Sequence, residues 1–352
     1  MARSPFIRIP RTLAAFLLVG GALTIGQVSQ LAEMTPTAMA QGQSNSDFWK
    51  QQGWKTNFDL ISVDEQEILS GGPPKDGIPS IDDPLFIPIE SARTYDDLEP
   101  VIGLTINGDA RAYPLSVLTW HEIVNDVVGG VPVAVTYCPL CNAAIVFERT
   151  LDGEPVEFGT TGKLRRSDLI MYDRKTESWW QQFSGEAIIG DLLGQKLKVV
   201  PSRLESWGKF KERLPEGKVL VPNNPEFRAY GNNPYIAYDR SQTPFLFRGE
   251  LPKDIPAMAR VVIVRNGADK DPFIVSMQHV RLEGPVVDGD VTVTWEKGQS
   301  SALDRQRIAD GRDVGNIVVQ TTANGTPEDL PYDVTFAFVA NSFHPDVKIV
   351  QQ

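Results

Sequence analysis

The sequence predicts a mainly β protein (α+β class), built from β-rich sheets with a few short helices. The chain has 352 residues, of which 29 are glycine and 26 are proline. This content favours frequent turns and leaves little uninterrupted chain for long helices. Short runs rich in β-branched and aromatic residues recur between the turn residues, and this is the pattern typical of strands.

The first forty residues (1–40) have the pattern of a signal peptide. The start is basic, with arginines at positions 3, 8 and 11, and an apolar run follows over 13–25. Ala38-Met39-Ala40 then supplies the small residues of a cleavage site. The apolar run is shorter than the roughly 20 residues that a membrane-spanning helix needs. We therefore expect cleavage, a periplasmic or secreted protein, and no stable membrane span in the mature chain.

The remainder divides into a short leader and a long domain. Residues 41–47 are polar and are predicted to form a flexible leader. Residues 48–352 are predicted to form a single long β-rich domain, or two lobes joined by the loop-rich stretch 221–256. Loss of the signal peptide removes three arginines and Glu33, so the net charge changes from −11 to −13. A chain this acidic repels phosphate backbones, which excludes nucleic acid as a partner.

The elements around the cysteines can be assigned in order. Two alternating runs, 101–106 and 110–113, flank Asn107-Gly108 and predict a β-hairpin. Apolar residues at helical spacing after Pro114 predict a helix over 115–127, ended by Gly129-Gly130 and carrying His121. Strands are predicted over 131–137 and 143–147, which places the cysteines on a turn between two strands.

The rest of the chain repeats this alternation of short strands and turns. A short helix is predicted over 205–213. Further strands are predicted over 156–158, 169–172, 195–200, 261–264, 273–277, 291–295, 317–320 and 334–339.

Cys138 and Cys141 are the only cysteines of the chain and form a Cys-Pro-x-Cys motif. In a thioredoxin-type site the first cysteine opens a helix, whose N-terminus lowers the pKa of the thiol. In a metal knuckle the motif lies on a turn between strands. The predicted strand after Cys141 favours the knuckle. A plain disulfide remains an alternative because the expected compartment is oxidising.

Two cysteines cannot fill a metal site, so other donors are required. The candidates are His121, upstream of the cysteine turn, Met171 in the predicted strand 169–172, and His344 at the end of the strand 334–339. Thiolate, thioether and imidazole ligands together suit copper(I), whereas two cysteines with histidine suit zinc equally well. The leading hypothesis is an exported metal-binding protein, with copper slightly preferred over zinc as its ion.

Two other functions remain open at this point. The first is a periplasmic thiol–disulfide oxidoreductase, in which Cys138 attacks, Cys141 resolves and His121 lowers the thiol pKa. The second is a non-catalytic interaction protein with a structural disulfide, whose acidic surface meets another exported protein. The sequence does not decide whether the protein is an enzyme, and it lacks the motifs of classical hydrolases and nucleotide-dependent enzymes.

Several motifs in the same order also resemble a family of exported prokaryotic proteins, catalogued as domain of unknown function 3179. The resemblance spans residues 87–346 and implies export and one long domain around the Cys-Pro-x-Cys core. It implies no activity or cofactor. Arg165-Arg166 departs from the small or amide residues expected before Ser167. The motifs that carry the resemblance are Trp120-His121-Glu122-Ile123-Val124-Asn125-Asp126, Tyr137-Cys138-Pro139-Leu140-Cys141, Ser167-Asp168-Leu169-Ile170-Met171-Tyr172-Asp173-Arg174 and Phe343-His344-Pro345-Asp346.

Overall fold

Short strands and tight turns dominate the chain, as its glycine and proline content predicts. The computed structural model describes residues 44–265 and 271–351, so the predicted signal peptide and residues 41–43 of the predicted leader lie outside the described residues. The protein is mainly β with about 15% helix. The prediction of a β-rich fold with a few short helices is confirmed.

The described residues form twenty-four strands and five short α-helices. The first twelve strands are β1 (Ile68–Ser70), β2 (Leu85–Pro88), β3 (Pro100–Ile106), β4 (Asp109–Pro114), β5 (Ile123–Val128), β6 (Val131–Cys138), β7 (Ala143–Glu148), β8 (Thr150–Leu151), β9 (Glu154–Pro155), β10 (Phe158–Arg165), β11 (Asp168–Asp173) and β12 (Trp179–Gln181). The others are β13 (Glu186–Ile189), β14 (Lys198–Val200), β15 (Arg203–Ser206), β16 (Lys218–Val221), β17 (Arg260–Val264), β18 (Phe273–Ser276), β19 (Val286–Asp288), β20 (Val291–Glu296), β21 (Asn316–Thr321), β22 (Glu328–Asp329), β23 (Tyr332–Phe336) and β24 (Ile349–Val350). The helices are α1 (Asn45–Gln51), α2 (Leu115–Leu118), α3 (Trp207–Arg213), α4 (Met277–Glu283) and α5 (Ala337–Phe343).

Five sheets of four or five strands are arranged as the blades of a propeller, and β8 and β9 form a separate small hairpin. The strand orders are β1-β10-β11-β12-β13, β14-β7-β6-β5, β15-β3-β4-β16-β2, β23-β17-β18-β24 and β19-β20-β21-β22. Most neighbouring strands are antiparallel, and hairpins such as β3–β4, β10–β11 and β17–β18 contribute to the sheets. Two sheets, β15-β3-β4-β16-β2 and β23-β17-β18-β24, also combine strands from distant parts of the chain. Repeated small sheets of this kind leave only short edges exposed.

The hairpin predicted around Asn107-Gly108 is confirmed. β3 pairs with β4 from Val101–Pro114 to Ile106–Asp109. Asn107 and Gly108 have φ angles of 50° and 82°, which are the positive values that a two-residue type I′ turn requires. The strands predicted over 131–137 and 143–147 are also present, as β6 and β7.

The helix predicted over 115–127 is wrong beyond its first turn. α2 ends at Leu118, and the chain then becomes strand β5, which pairs with β6 from Ile123–Thr136 to Val128–Val131. Gly129-Gly130 forms the turn of this hairpin instead of stopping a helix, because both glycines have positive φ. The β-branched residues before the glycines also prefer strand conformation. His121 therefore lies in the turn between α2 and β5, not on a helix.

Two other boundaries differ from the prediction. The strand predicted over 334–339 ends at Phe336, and the following residues form α5. His344 thus follows a helix and not a strand. The strand predicted over 156–158 begins only at Phe158 and continues to Arg165. In both cases the apolar run could not be assigned to strand or helix by composition alone.

The largest apolar core contains residues from all five larger sheets, and the cysteine turn lies within it. A second cluster packs Trp49, Trp54 and Phe58 against Trp179. Trp180 points into the large core, so the tandem tryptophans are both buried on opposite faces of β12. Within the described residues, no helix has the length and apolarity needed to span a membrane.

Candidate metal centre

The two cysteines lie at the connection between β6 and β7. Cys138 is the last residue of β6 and pairs with Ala143, the first residue of β7. Asn142, between Cys141 and β7, has a positive φ of 54° and donates its backbone N–H to the Pro139 carbonyl. Both cysteines are free, with 1% and 0% of their surface exposed, and no disulfide joins them.

Three hydrogen bonds connect the cysteine turn to other parts of the fold. The Thr335 hydroxyl donates to the Cys141 carbonyl at 2.7 Å, and the Asn142 side-chain amide donates to the Val334 carbonyl at 2.8 Å. The Tyr238 hydroxyl donates to the Leu140 carbonyl at 3.0 Å. β23 and the segment around Tyr238 therefore hold the turn in one position. A fixed backbone is what a preorganised ligand site requires.

Asp168 is the third member of the site and was not identified as a candidate from the sequence. It begins β11, and its carboxylate lies close to both sulfurs, with the three ligand atoms all within 4.8 Å of one another. One oxygen, Oδ2, accepts hydrogen bonds from Gln181 Nε2 at 2.6 Å and from the Phe183 backbone at 2.8 Å. The other, Oδ1, is buried and has no N–H or O–H donor among the described residues, and the thiols of Cys138 and Cys141 offer this carboxylate only weak hydrogen bonds. A buried carboxylate oxygen without a donor is costly unless a cation or a proton satisfies it.

The backbone next to Asp168 also faces the thiols. The Ser167 carbonyl oxygen accepts from Cys141 Sγ at 3.5 Å and from Cys138 Sγ at 3.8 Å. Thiols are weak donors, so these contacts contribute little energy by themselves. They show that one backbone oxygen lies within 3.8 Å of both sulfurs.

Burial dominates the electrostatics of the site. It raises the pKa of both thiols above the ordinary value for cysteine, and it raises the pKa of Asp168 to about 7. The hydrogen bonds from Gln181 and Phe183 act in the opposite direction on Asp168. Both thiols are therefore protonated near neutral pH without an ion, and a bound cation would favour their deprotonated forms.

A second buried carboxylate, Glu122, faces the same region. Its pKa is raised to about 8 by burial and, secondarily, by the charge of Asp168. Its backbone has a positive φ of 59°, which is uncommon for a residue with a side chain. No described residue donates a hydrogen bond to its carboxylate, and it lies outside the three-residue group.

The two histidines predicted as ligands have other partners. His121 has both ring nitrogens engaged: Nδ1 contacts the Pro79 carbonyl at 2.8 Å, and Nε2 contacts the Tyr230 hydroxyl at 2.7 Å. His344 has its ring 6.1 Å from that of Phe183, whose backbone bonds Asp168. Neither histidine belongs to the group around the cysteines.

Met171 lies three residues beyond Asp168 on β11 and is fully buried. Side chains alternate along a strand at about 3.3 Å per residue, so Met171 lies on the face opposite Asp168, roughly 10 Å along the strand. The fold thus brings Asp168, from the β10–β11 hairpin, close to Cys138 and Cys141 at the β6–β7 connection. Neither imidazole belongs to this group.

A family model described as "Protein of unknown function (DUF3179)" matches residues 75–347. The chain therefore belongs to this family. The match contains all three residues of the candidate metal centre, as well as Glu122 and His121. The resemblance found in the motifs is thus confirmed for a range close to the expected one. No curated protein and no solved structure matches the DUF3179 chain significantly.

Proposed function

We propose that this DUF3179 protein binds one metal ion between Cys138, Cys141 and Asp168. One observation carries the proposal: three potential ligand atoms, two of them sulfur, lie within 4.8 Å of one another in a fully buried site. The Oδ1 atom of Asp168, which has no N–H or O–H donor among the described residues, supports it. Replacing the thiol protons by a divalent cation would satisfy this oxygen and both sulfurs at once.

Zinc fits this ligand set better than copper. The preference for copper in the sequence analysis depended on a thioether or imidazole donor beside the thiolates. A carboxylate in that position is a harder ligand, which zinc accepts readily and copper(I) does not favour. We therefore propose zinc as the ion.

The burial of the site favours a structural or storage role for the ion. All three residues are at most 1% exposed. Catalytic zinc sites keep a position open to water or substrate, whereas structural sites are closed by protein ligands. We further propose that the protein acts outside the cytoplasm, on the strength of the signal-like pattern of residues 1–40, which lie outside the described residues.

A thiol–disulfide oxidoreductase is the second candidate. The observation that favours it is the carboxylate of Asp168 beside both thiols, because such a group can accept a thiol proton during exchange. The burial of both sulfurs and their raised pKa values count against it, since a reactive thiol is accessible and has a lowered pKa. The structural-disulfide alternative has less support because both cysteines are free.

The metal proposal is tested by measuring zinc affinity with a competing chelator in the wild type and in Asp168→Asn. The substitution keeps the size and one acceptor oxygen for Gln181 and Phe183 but removes the charge and the second acceptor oxygen, and we expect affinity to fall by at least tenfold. His121→Gln and His344→Gln are the matched controls, because both imidazoles lie outside the group; neither should change affinity by more than about twofold. Equal affinity in wild type and Asp168→Asn would contradict the assignment of this carboxylate.

A further inference from the structure

The turn between β10 and β11 has an unusual composition for its geometry. Arg165 pairs with Asp168, so Arg166 and Ser167 form a two-residue loop, and their φ angles are 56° and 67°. Positive φ at both positions is the type I′ pattern, which strongly prefers Asn-Gly. The same chain uses Asn107-Gly108 for its β3–β4 turn. Two residues with bulky or polar side chains therefore hold a left-handed backbone that glycine would adopt without strain.

Each side chain of this turn is attached to another part of the fold. The Arg166 guanidinium donates to the Ser342 carbonyl at the end of α5 and lies 5.5 Å from the centre of the Phe343 ring. The Ser167 hydroxyl donates to the Phe245 carbonyl at 2.6 Å. An Asn-Gly turn would make neither of these two contacts. The strained residues thus fix the position of the loop relative to α5 and to the segment around Phe245.

The fixed loop determines where the Ser167 carbonyl points. Its oxygen lies 3.5 Å and 3.8 Å from the two sulfurs. With zinc–sulfur and zinc–oxygen bonds of about 2.3 and 2.1 Å, a tetrahedral site has sulfur–oxygen edges of about 3.6 Å. The observed distances therefore match two edges of a coordination tetrahedron before any movement of the chain.

We propose that the Ser167 carbonyl oxygen is the fourth ligand of the metal ion, and that the side chains of Arg166 and Ser167 are positioning residues for it. This inference rests on the proposed metal-binding function. When the ion binds, the two thiols lose their protons to solvent, and their S–H···O contacts are replaced by metal–sulfur and metal–oxygen bonds. The carbonyl adds no charge, so two thiolates and one carboxylate face a single divalent cation.

The test is the double variant Arg166→Asn, Ser167→Gly, which installs the preferred type I′ sequence and removes both attachments. Relief of the turn strain offsets the loss of these contacts and of the Arg166–Glu67 ion pair at 3.5 Å, so we expect the metal-free variant to remain folded, with a melting temperature close to that of the wild type. Its zinc affinity should nevertheless fall by about 10- to 100-fold, the usual effect of losing groups that orient a ligand. The X-ray absorption spectrum of the zinc-loaded wild type should show two sulfur and two oxygen neighbours.

A reciprocal variant separates turn strain from ligand positioning. Asn107→Arg, Gly108→Ser places the strained pair in the β3–β4 hairpin, where an added Cβ at Gly108 meets no atom within 4 Å. It should lower stability and leave zinc affinity unchanged. Wild-type zinc affinity in the Asn-Gly variant, or a first shell with a single oxygen, would overturn this inference. A wild-type protein that binds no zinc would instead reject the proposed function itself.

Discussion

Glu122 and Asp168 are two buried carboxylates close enough for the charge of Asp168 to raise the pKa of Glu122. Glu122 directly precedes β5, whereas Asp168 is the first residue of β11. The charge of Glu122 also raises the pKa of the Cys138 thiol, and Asp168 shares a candidate ion site with Cys138 and Cys141. The region thus concentrates negative charge that only protons or a cation can neutralise.

The metal-free protein should lose stability as the pH rises. The pKa of Glu122 is about 8 in the folded state against 4.5 for the ordinary group. The folded state therefore holds a proton that the unfolded state releases between these values, which favours unfolding as pH increases from about 4.5 to 8. Asp168, with a folded pKa of about 7, acts in the same direction.

The variant Glu122→Gln should remove the larger part of this trend. We expect it to gain stability over the wild type by a few kcal/mol at pH 8 and by much less at pH 5. Urea unfolding with a chelator present, at the two pH values, measures the difference. If the gain were the same at both pH values, Glu122 would not be held protonated by its surroundings.

Zinc affinity should depend steeply on pH. Both thiols have raised pKa values because they are buried, so each must release a proton when the ion binds. Affinity should therefore fall by about 100-fold for each pH unit between about 9 and 7, and more steeply below 7, where Asp168 also carries a proton that the ion displaces. Calorimetry in buffers of different ionisation enthalpy counts the protons directly. Release of fewer than two protons at pH 8, where Asp168 is mostly ionised, would show that the two thiols are not both ligands.

The cysteines should react slowly with thiol reagents in the folded, metal-free protein. Both sulfurs are buried and their pKa values are raised, so little thiolate is accessible at pH 7. We expect modification at least tenfold slower than that of a free cysteine, and rapid modification of two thiols per chain in denaturant. If one cysteine of the folded protein reacted as fast as a free thiol, the oxidoreductase would become the better candidate.

The pKa of His121 should lie below the usual range for histidine, and its protonation should not change metal affinity. Burial lowers its pKa, while the hydrogen bond to the Pro79 carbonyl acts in the opposite direction. The Tyr230 hydroxyl bonds Nε2 and stabilises the neutral ring, so Tyr230→Phe should raise the pKa of His121. Nuclear magnetic resonance of the imidazole measures both values. An unchanged zinc affinity in Tyr230→Phe would agree with the placement of His121 outside the site.

The sequence predicted the local structure around the cysteines better than it predicted the residues of the candidate metal centre. Asn107-Gly108 and the β-branched runs on either side of Cys138 and Cys141 specify hairpins through local preferences, and these elements are present. The prediction of a helix containing His121 was wrong because Gly129-Gly130 was interpreted as the end of a helix. These glycines form the turn between β5 and β6. Apolar residues at mixed spacing do not distinguish these outcomes.

Asp168 could not be identified from composition or spacing. It was part of a recognisable motif, yet acidic residues at strand ends are common and mostly solvated. Its burial beside the thiols depends on the register of β10 with β11 and on the packing of that hairpin against the cysteine turn. The Ser167 carbonyl carries no sequence signal at all, because every residue has one. The atypical Arg166 before Ser167 was the one indication that this turn is specialised.

The central claim is that Cys138, Cys141 and Asp168 hold a metal ion. Its most direct test is the metal content of the protein, purified without a metal-affinity step and measured by elemental mass spectrometry. The wild type should carry close to one zinc per chain, and the variant Cys138→Ser, Cys141→Ser should carry almost none. Equal metal content in the two proteins, or a reduced wild type that takes up no zinc or copper when either is supplied, would contradict the account.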